Sequence, residues 1–412
     1  MSQDQSVGKG NNDVDIQSLI GPLSVSNFKT LLFLGAGASA PFGFPLANHL
    51  LGNIYRRLKK RNFDRLGAKD TEFLARALET LTPFLRTSLE LENDIPLPTV
   101  LGMLNHMLVA GTRIRFQNTS RTVADVKALL EYAIADELTP DPHDGKNHKL
   151  LNRFANILLE DRNFTIGVIS TNYDVCVEQV IFDRYSERIR AFKKQDKWKT
   201  AKDNHRLIGQ LFDFGTSWRL VYDGGQVITR PMKPKFAWYK LHGSLNWLRC
   251  DQCEHVYINP DWPIATLSIE KKSYATTCHC GYYPLSHLLV TPSLVRDIRE
   301  TNLLQIWRHA LELLRTAKKW IFVGYSLPAE DIAIRSILQR AYYGRGPGKH
   351  KPHVFVVDFS KDGKENGNLK RRYRELFPNA KFTWGGVEEL IEHPKLLQPN
   401  QNSDLSIGRH SS

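Results

Sequence analysis

Thr30-Leu31-Leu32-Phe33-Leu34-Gly35-Ala36-Gly37-Ala38-Ser39 runs from an apolar stretch straight into two glycines and a serine. The run is short and lacks polar alternation, which is the pattern of a strand buried on both faces of a parallel sheet. The small residues behind it predict a tight turn into a helix, where backbone amides can face a pyrophosphate. Close packing is the competing reason for glycines in such a turn. The third glycine of the dinucleotide fingerprint is absent at its usual spacing, and no lysine follows to make a phosphate-loop ATPase.

Working outward, the pattern repeats. Thr165-Ile166-Gly167-Val168-Ile169-Ser170, the run Phe236 to Leu241, Trp320-Ile321-Phe322-Val323-Gly324 and Val354-Phe355-Val356-Val357-Asp358 are further buried-strand candidates. Helical stretches separate most of them, which predicts an α/β, Rossmann-like open parallel sheet with both faces covered. Phe73, Leu74, Ala77, Leu78, Leu81 and Leu85 recur at three- and four-residue steps and predict a helical insertion. The expected division is a tail over 1–27, the sheet domain over 28–60, 161–248 and 286–397, and the insertion over 61–160. A loop-rich excursion is expected at 183–235, a cysteine-bearing module at 249–285 and a polar tail at 398–412.

The chain has 412 residues, 42% of them hydrophobic, enough to bury a full core. No window approaches the ~18 apolar residues of a membrane span, and the start has no secretory pattern, so a cytoplasmic protein is expected. The net charge of +13 favours acidic partners. Its basic residues cluster at Lys59-Lys60-Arg61, at 193–202, at Lys271-Lys272 and at Lys370-Arg371-Arg372 with Arg374. Aromatics are not interleaved with them as on a stacking platform, so direct nucleic-acid binding, if present, is not expected to be sequence-specific.

Five cysteines do not make a disulfide scaffold in a chain this long. Cys250 and Cys253 form one close pair and Cys278 and Cys280 another, which is how structural tetrahedral zinc sites are supplied. The Cys-x-Cys spacing of the second pair is tight, and His255, His279 or His287 are candidates to replace one sulfur. Cys176 reads as a packing residue.

Polar groups stand where open α/β sheets present ligands, just past the strand candidates. Ser170-Thr171-Asn172-Tyr173-Asp174 follows the second; the Asn172 amide can hold a hydroxyl or water by donating and accepting, with a helix cap as the plainer role. His242 follows the third in Lys240-Leu241-His242-Gly243-Ser244 and can take or relay a proton near neutral pH. Gly324-Tyr325-Ser326-Leu327-Pro328 follows the fourth, and Ser326 can bond phosphate or ribose. Glu330 and Asp331 are expected in the first turn of the next helix. Asp358 ends the fifth strand, where acidic residues hold ribose hydroxyls.

Together these segments resemble the sirtuin-like, NAD-binding family. Gly35 to Pro45 is similar to its Gly-Ala-Gly-x-Ser loop with the following Gly-Ile-Pro; Thr171, Asn172 and Asp174 match its Thr-x-Asn-x-Asp element. His242-Gly243 matches its His-Gly element, and Gly324, Ser326 and Leu327 its Gly-x-Ser-Leu. The resemblance implies NAD+ held by Gly35, Ala36, Gly37, Ser39, Pro45, Thr171, Asp174, Gly324, Ser326, Leu327 and Asp358, with Asn172 and His242 catalytic. It also implies structural Zn2+ on Cys250, Cys253, Cys278 and Cys280, the place of the family's four-cysteine module. Where the family continues Asp-Phe-Arg, this chain has Leu46-Ala47-Asn48. That departure and the insertion point to the prokaryotic anti-phage branch, hence to an NAD+ glycohydrolase rather than a protein-lysine deacylase or a silent NAD or ADP-ribose sensor. Such enzymes imply a homo-oligomer or a defence partner such as a HerA-like ATPase.

Overall fold

The computed structural model describes residues 28–60, 63, 66–81, 97–112, 116, 120–139, 148–160, 165–192, 211–221, 227–228, 230–231, 234–259, 263–265, 277–282, 285–289, 301–345, 350–360 and 363–399. The expected N-terminal tail, nearly all of the C-terminal one, and the basic clusters at 193–202 and Lys271-Lys272 lie outside them. No helix among the described residues is long and apolar enough to cross a membrane.

All five buried-strand candidates enter one sheet. They are β1 (Phe28–Leu34), β2 (Thr165–Ser170), β6 (Phe236–Lys240), β10 (Lys319–Val323) and β11 (His353–Val357). Two short edge strands complete it, β3 (Phe212–Asp213) and β12 (Lys381–Thr383), in the order β12-β11-β10-β1-β2-β6-β3. Every pairing is parallel. Such a sheet needs cover on both faces, which explains runs such as Lys319–Val323 that are buried at every residue. The cover comes from amphipathic helices. His148–Leu159 buries Leu151, Phe154, Ala155 and Leu158, and Thr301–Thr316 buries Leu303, Ile306, Ala310 and Leu313. Gly167 in β2 makes room for the second of these, since a Cβ there would stand 2.6 Å from Leu313 Cδ1.

Past the short helix α1 (Ala36–Ser39), a second apolar core gathers helices α2 (Ala47–Lys59), α3 (Ala68–Leu81), α4 (Leu97–Val109) and α5 (Val123–Glu137). It also takes in Leu245 and Ala265, with Tyr173, Phe44 and Leu289 packed against it. Thus the helix that begins at Ala47 joins the helical core, whereas His148–Leu159 belongs with the sheet.

Beyond β6 the chain turns at Leu241 and His242 into a second sheet, ordered β5-β4-β8-β7-β9. Its strands are β4 (Trp218–Leu220), β5 (Val227–Ile228), β7 (Gly243–Arg249), β8 (Val256–Ile258) and β9 (Ser286–Leu289). The stretch expected as loop from residue 183 therefore differs: the helix Cys176–Phe192 continues through its first part, and β3, β4 and β5 lie further on. Trp218 and Leu220 are buried, but two- and three-residue strands carry too little alternation to be read from sequence.

Candidate functional site

The sheet register carries the strand ends into one line. Leu34 pairs with Val323 and with Ser170, Val323 with Val357, and Ser170 with Lys240. Asp358, Gly324, Gly35, Thr171 and Leu241 therefore follow one another along the carboxyl edge. Four strand spacings of about 4.8 Å make that row ~19 Å long. The connections leave β1 toward β2 on one side and place β10 on the other, so the topological switch point falls beside Gly35.

At that point two turns touch backbone to backbone. Gly35 N–H donates to Val323 O at 3.0 Å and Gly37 N–H to Gly324 O at 2.8 Å. A Cβ on Gly35 would meet Gly324 O at 2.6 Å, and one on Gly37 would meet Gly324 Cα at 2.8 Å. Gly324 has φ +58° and would drive a Cβ to 2.1 Å from Ala38 N. Packing of turn on turn thus accounts for all three glycines, and the amides of Gly35 and Gly37 are engaged there. Ala36 at the head of the short helix Ala36–Ser39 and Pro45 are part-exposed.

Ser39 and Asp174 are buried. Ser39 Oγ donates to Asp174 Oδ2 at 2.9 Å and accepts from Asn172 Nδ2 at 3.0 Å. Cys176 Sγ donates to Asp174 Oδ1 at 3.0 Å, and burial, with Asp174 alongside, pushes its thiol well up, as for a packing residue. Ser39 and Asp174 thus brace the two turns against each other.

Asn172 Nδ2 also donates to Gly35 O at 2.9 Å. A carbonyl only accepts, so this contact fixes the amide orientation and leaves Oδ1 as the side-chain atom free to engage a substrate. Its backbone N–H donates to Ser170 Oγ at 3.1 Å. Thr171 donates from N and Oγ1 to Leu34 O, and its carbonyl lies 3.2 Å from His242 Nδ1. The same rule makes Nδ1 the protonated nitrogen of a neutral His242, so Nε2 carries the lone pair. Asn172 and His242 therefore sit on adjoining turns, with Oδ1 the accepting atom of the one side chain and Nε2 that of the other. The Tyr173 ring centroid stands 6.3 Å from that of His242, joining this turn to the helical core.

Two groups that the sequence reading passed over hold the turn. Lys240 Nζ, fully buried, donates to Asp174 O at 2.5 Å and to Glu178 Oε1 at 2.8 Å. Burial raises the Glu178 carboxyl despite the lysine. Trp307 Nε1 donates to Leu241 O at 3.0 Å. The signal was present, because a lysine ending the buried run Phe236–Lys240 must have an acidic partner.

At the other end of the row, Ser326 is exposed, while Leu327 is fully buried at φ +48° and offers a ligand no side chain. Asp331 is the N-cap of Ile332–Tyr343, not in its first turn, and accepts from Tyr325 OH at 2.8 Å. Asp358 is half-buried; burial raises its carboxyl, with Phe359 N–H and Arg372 acting the other way.

Cys250 and Cys253 lie in the turn between β7 and β8, and Cys278 and Cys280 meet them from the segment before β9. The four sulfurs lie within 4.8 Å of one another, Cys250 to Cys280 at 3.7 Å and Cys253 to Cys278 at 3.4 Å. A tetrahedral ion with 2.3 Å bonds to sulfur needs edges of about 3.8 Å, so the cluster fits one. Gly281 at φ +85° closes the tight Cys-x-Cys turn. Against burial, Cys280 N–H and Tyr257 OH hold the Cys278 thiol down to about 6, toward the thiolate a metal takes. His255 and His279 stand beside Cys253, whereas His287 is committed to Glu131 at 2.9 Å and is no candidate ligand.

A family model described as a SIR2-like domain matches residues 167–377. No curated protein sequence matches the chain. Among solved structures, a chain from work on the mechanism and regulation of Sir2 enzymes aligns with a TM-score of 0.39 at 14% identity, covering 91% of this chain and 94% of that one. A second, from work on sirtuin substrate affinity, aligns at 0.34 and 12%, covering 89% and 93%.

Proposed function

This chain belongs to the SIR2-like domain family, and we propose that it is an NAD+ glycohydrolase releasing nicotinamide and ADP-ribose. The observation that carries the reading is the pair of side chains on adjoining turns, His242 with Nε2 as a base and Asn172 with Oδ1 as a hydrogen-bond acceptor, fixed by Thr171 O and Gly35 O. In the reaction the bond from nicotinamide nitrogen to ribose C1′ breaks and its electron pair leaves with nicotinamide. Water adds to C1′; Asn172 Oδ1 orients it, and His242 Nε2 accepts its proton. Ser326 and Asp358 hold the adenosine half.

Water rather than an acyl-lysine is the proposed acceptor for two reasons. After Pro45 the chain enters α2 at once, in place of the family's Asp-Phe-Arg. The helical core also packs apolar side chains on Tyr173, Leu245 and Leu289 beside the His242 turn. Depletion of NAD+ in anti-phage defence, with an oligomer or a defence partner as its control, is the role that fits such an enzyme. The cysteine cluster favours a second reading, an NAD-dependent protein deacylase, because that module is a hallmark of the deacylases this chain resembles. We assign Zn2+ to the cluster as a structural ion held by Cys250, Cys253, Cys278 and Cys280, which tie β7, β8 and β9 together. The test is release of nicotinamide from NAD+ by purified protein with and without an acyl-lysine peptide.

A further inference from the structure

We propose that Phe359 is the platform on which the adenine base of the dinucleotide stacks, an inference that rests on the NAD+ reading above. Phe359 is 64% exposed, more than any other aromatic side chain among the described residues. It follows β11, whose last four residues are buried, and so stands at the carboxyl edge of the sheet. Asp358 precedes it in the chain, and one strand over, the exposed Ser326 stands on the turn after β10.

The backbone beneath the ring is held on both sides. Asp358 N–H donates to Thr383 O at 3.0 Å, Gly386 N–H to Asp358 O at 3.0 Å and Ser360 N–H to Trp384 O at 3.1 Å, while Phe359 itself bridges to Gly385. One side of the ring lies against Gly386, where an added Cβ would come within 3.3 Å of Phe359 Cδ2. The rest faces solvent. A fixed aromatic ring that packing does not use, beside a half-buried carboxylate and an exposed hydroxyl, presents the groups a nucleoside needs: a π face for the base and acceptors for the ribose. A purine offers a larger face than nicotinamide, and Phe359 lies four strands from the His242 turn, so the adenine end belongs here.

The test compares ADP-ribose with nicotinamide mononucleotide, which lacks the adenosine half, in titration calorimetry on the full chain. Phe359→Ala is expected to weaken ADP-ribose by about 10- to 100-fold, from the usual strength of base–aromatic stacking, and to leave the mononucleotide unchanged. Phe359→Trp is expected to restore ADP-ribose binding. Equal ADP-ribose affinity in wild type and Phe359→Ala overturns the inference while leaving the NAD+ reading standing. Loss of both ligands together overturns it too, since a stacking platform cannot act on a ligand without a base. A wild type that binds neither ligand overturns the NAD+ reading and the inference with it. Thermal melting of each variant confirms the fold.

Discussion

Asn172 Nδ2 lies 2.9 Å from the carbonyl oxygen of Gly35, which ties the turn after β2 to the turn after β1. The same nitrogen reaches Ser39 Oγ at 3.0 Å. Asn172→Asp replaces this double donor with an acceptor facing a carbonyl. It is expected to cost about 1–3 kcal/mol of stability, the range for leaving a part-buried polar group unsatisfied. Dinucleotide binding should fall with it, because the Gly35 turn loses its brace. Denaturant melts and ligand titration measure the two losses; a variant as stable as wild type would show that the brace is dispensable.

Lys240 and Glu178 form a buried ion pair at 2.8 Å beneath Asp174. Lys240→Met strands a carboxylate in the core and is expected to destabilise by about 3–5 kcal/mol. Adding Glu178→Leu should recover most of that loss, since a well-packed apolar pair replaces a buried ion pair at little cost. Recovery of stability without recovery of activity would separate the pair's role in folding from its grip on the Asp174 carbonyl.

The sheet was legible because its central strands are buried on both faces and spell themselves out as apolar runs, as in Trp320 to Val323. β3 and β12 were not, being two- and three-residue edge strands. Residues at the strand ends were placed by position along the chain, but the contacts they make were not: Ser39 bonds Asp174, Leu327 is buried, and the glycines allow turn-on-turn packing. Those assignments depend on contacts between segments far apart in sequence, such as Gly37 with Gly324 and Lys240 with Glu178. No local pattern encodes them.

The cysteine cluster predicts one bound Zn2+ per chain by elemental analysis. Chelation should lower the melting temperature, because an ion on these four sulfurs would join β7, β8 and β9. Cys280 is exposed, so Cys280→Ser should lose the metal with little damage to packing, whereas Cys250→Ser also disturbs the small core around Leu248 and Tyr257. A metal-free protein that melts like the loaded one would remove the structural role.

His309 carries a pH signature. Burial, followed by Arg230 and Arg308, holds its imidazole down to about 4 from the ordinary 6.5, against the opposing Asp213. Its Nε2 is 2.8 Å from Arg230 Nη1, and the arginine also grips Asp213. Between those two values the unfolded chain binds the proton and the folded chain does not, so this histidine's contribution to stability is lost as pH falls from 6.5 toward 4. His309→Gln keeps an acceptor for Arg230 and does not titrate. The stability difference between wild type and variant should be flat above pH 7 and move against wild type through that window. A constant difference from pH 7 to pH 4 would contradict the assignment.

The most direct measurement is nicotinamide released from NAD+ by wild type, His242→Ala and Asn172→Ala, with no acyl-lysine present. Wild type is expected to release it. His242→Ala should be slower by about 100- to 10,000-fold, the usual worth of a positioned acid–base group, with ADP-ribose binding retained. Release that appears only with an acyl-lysine peptide, or that survives loss of His242, would contradict the account.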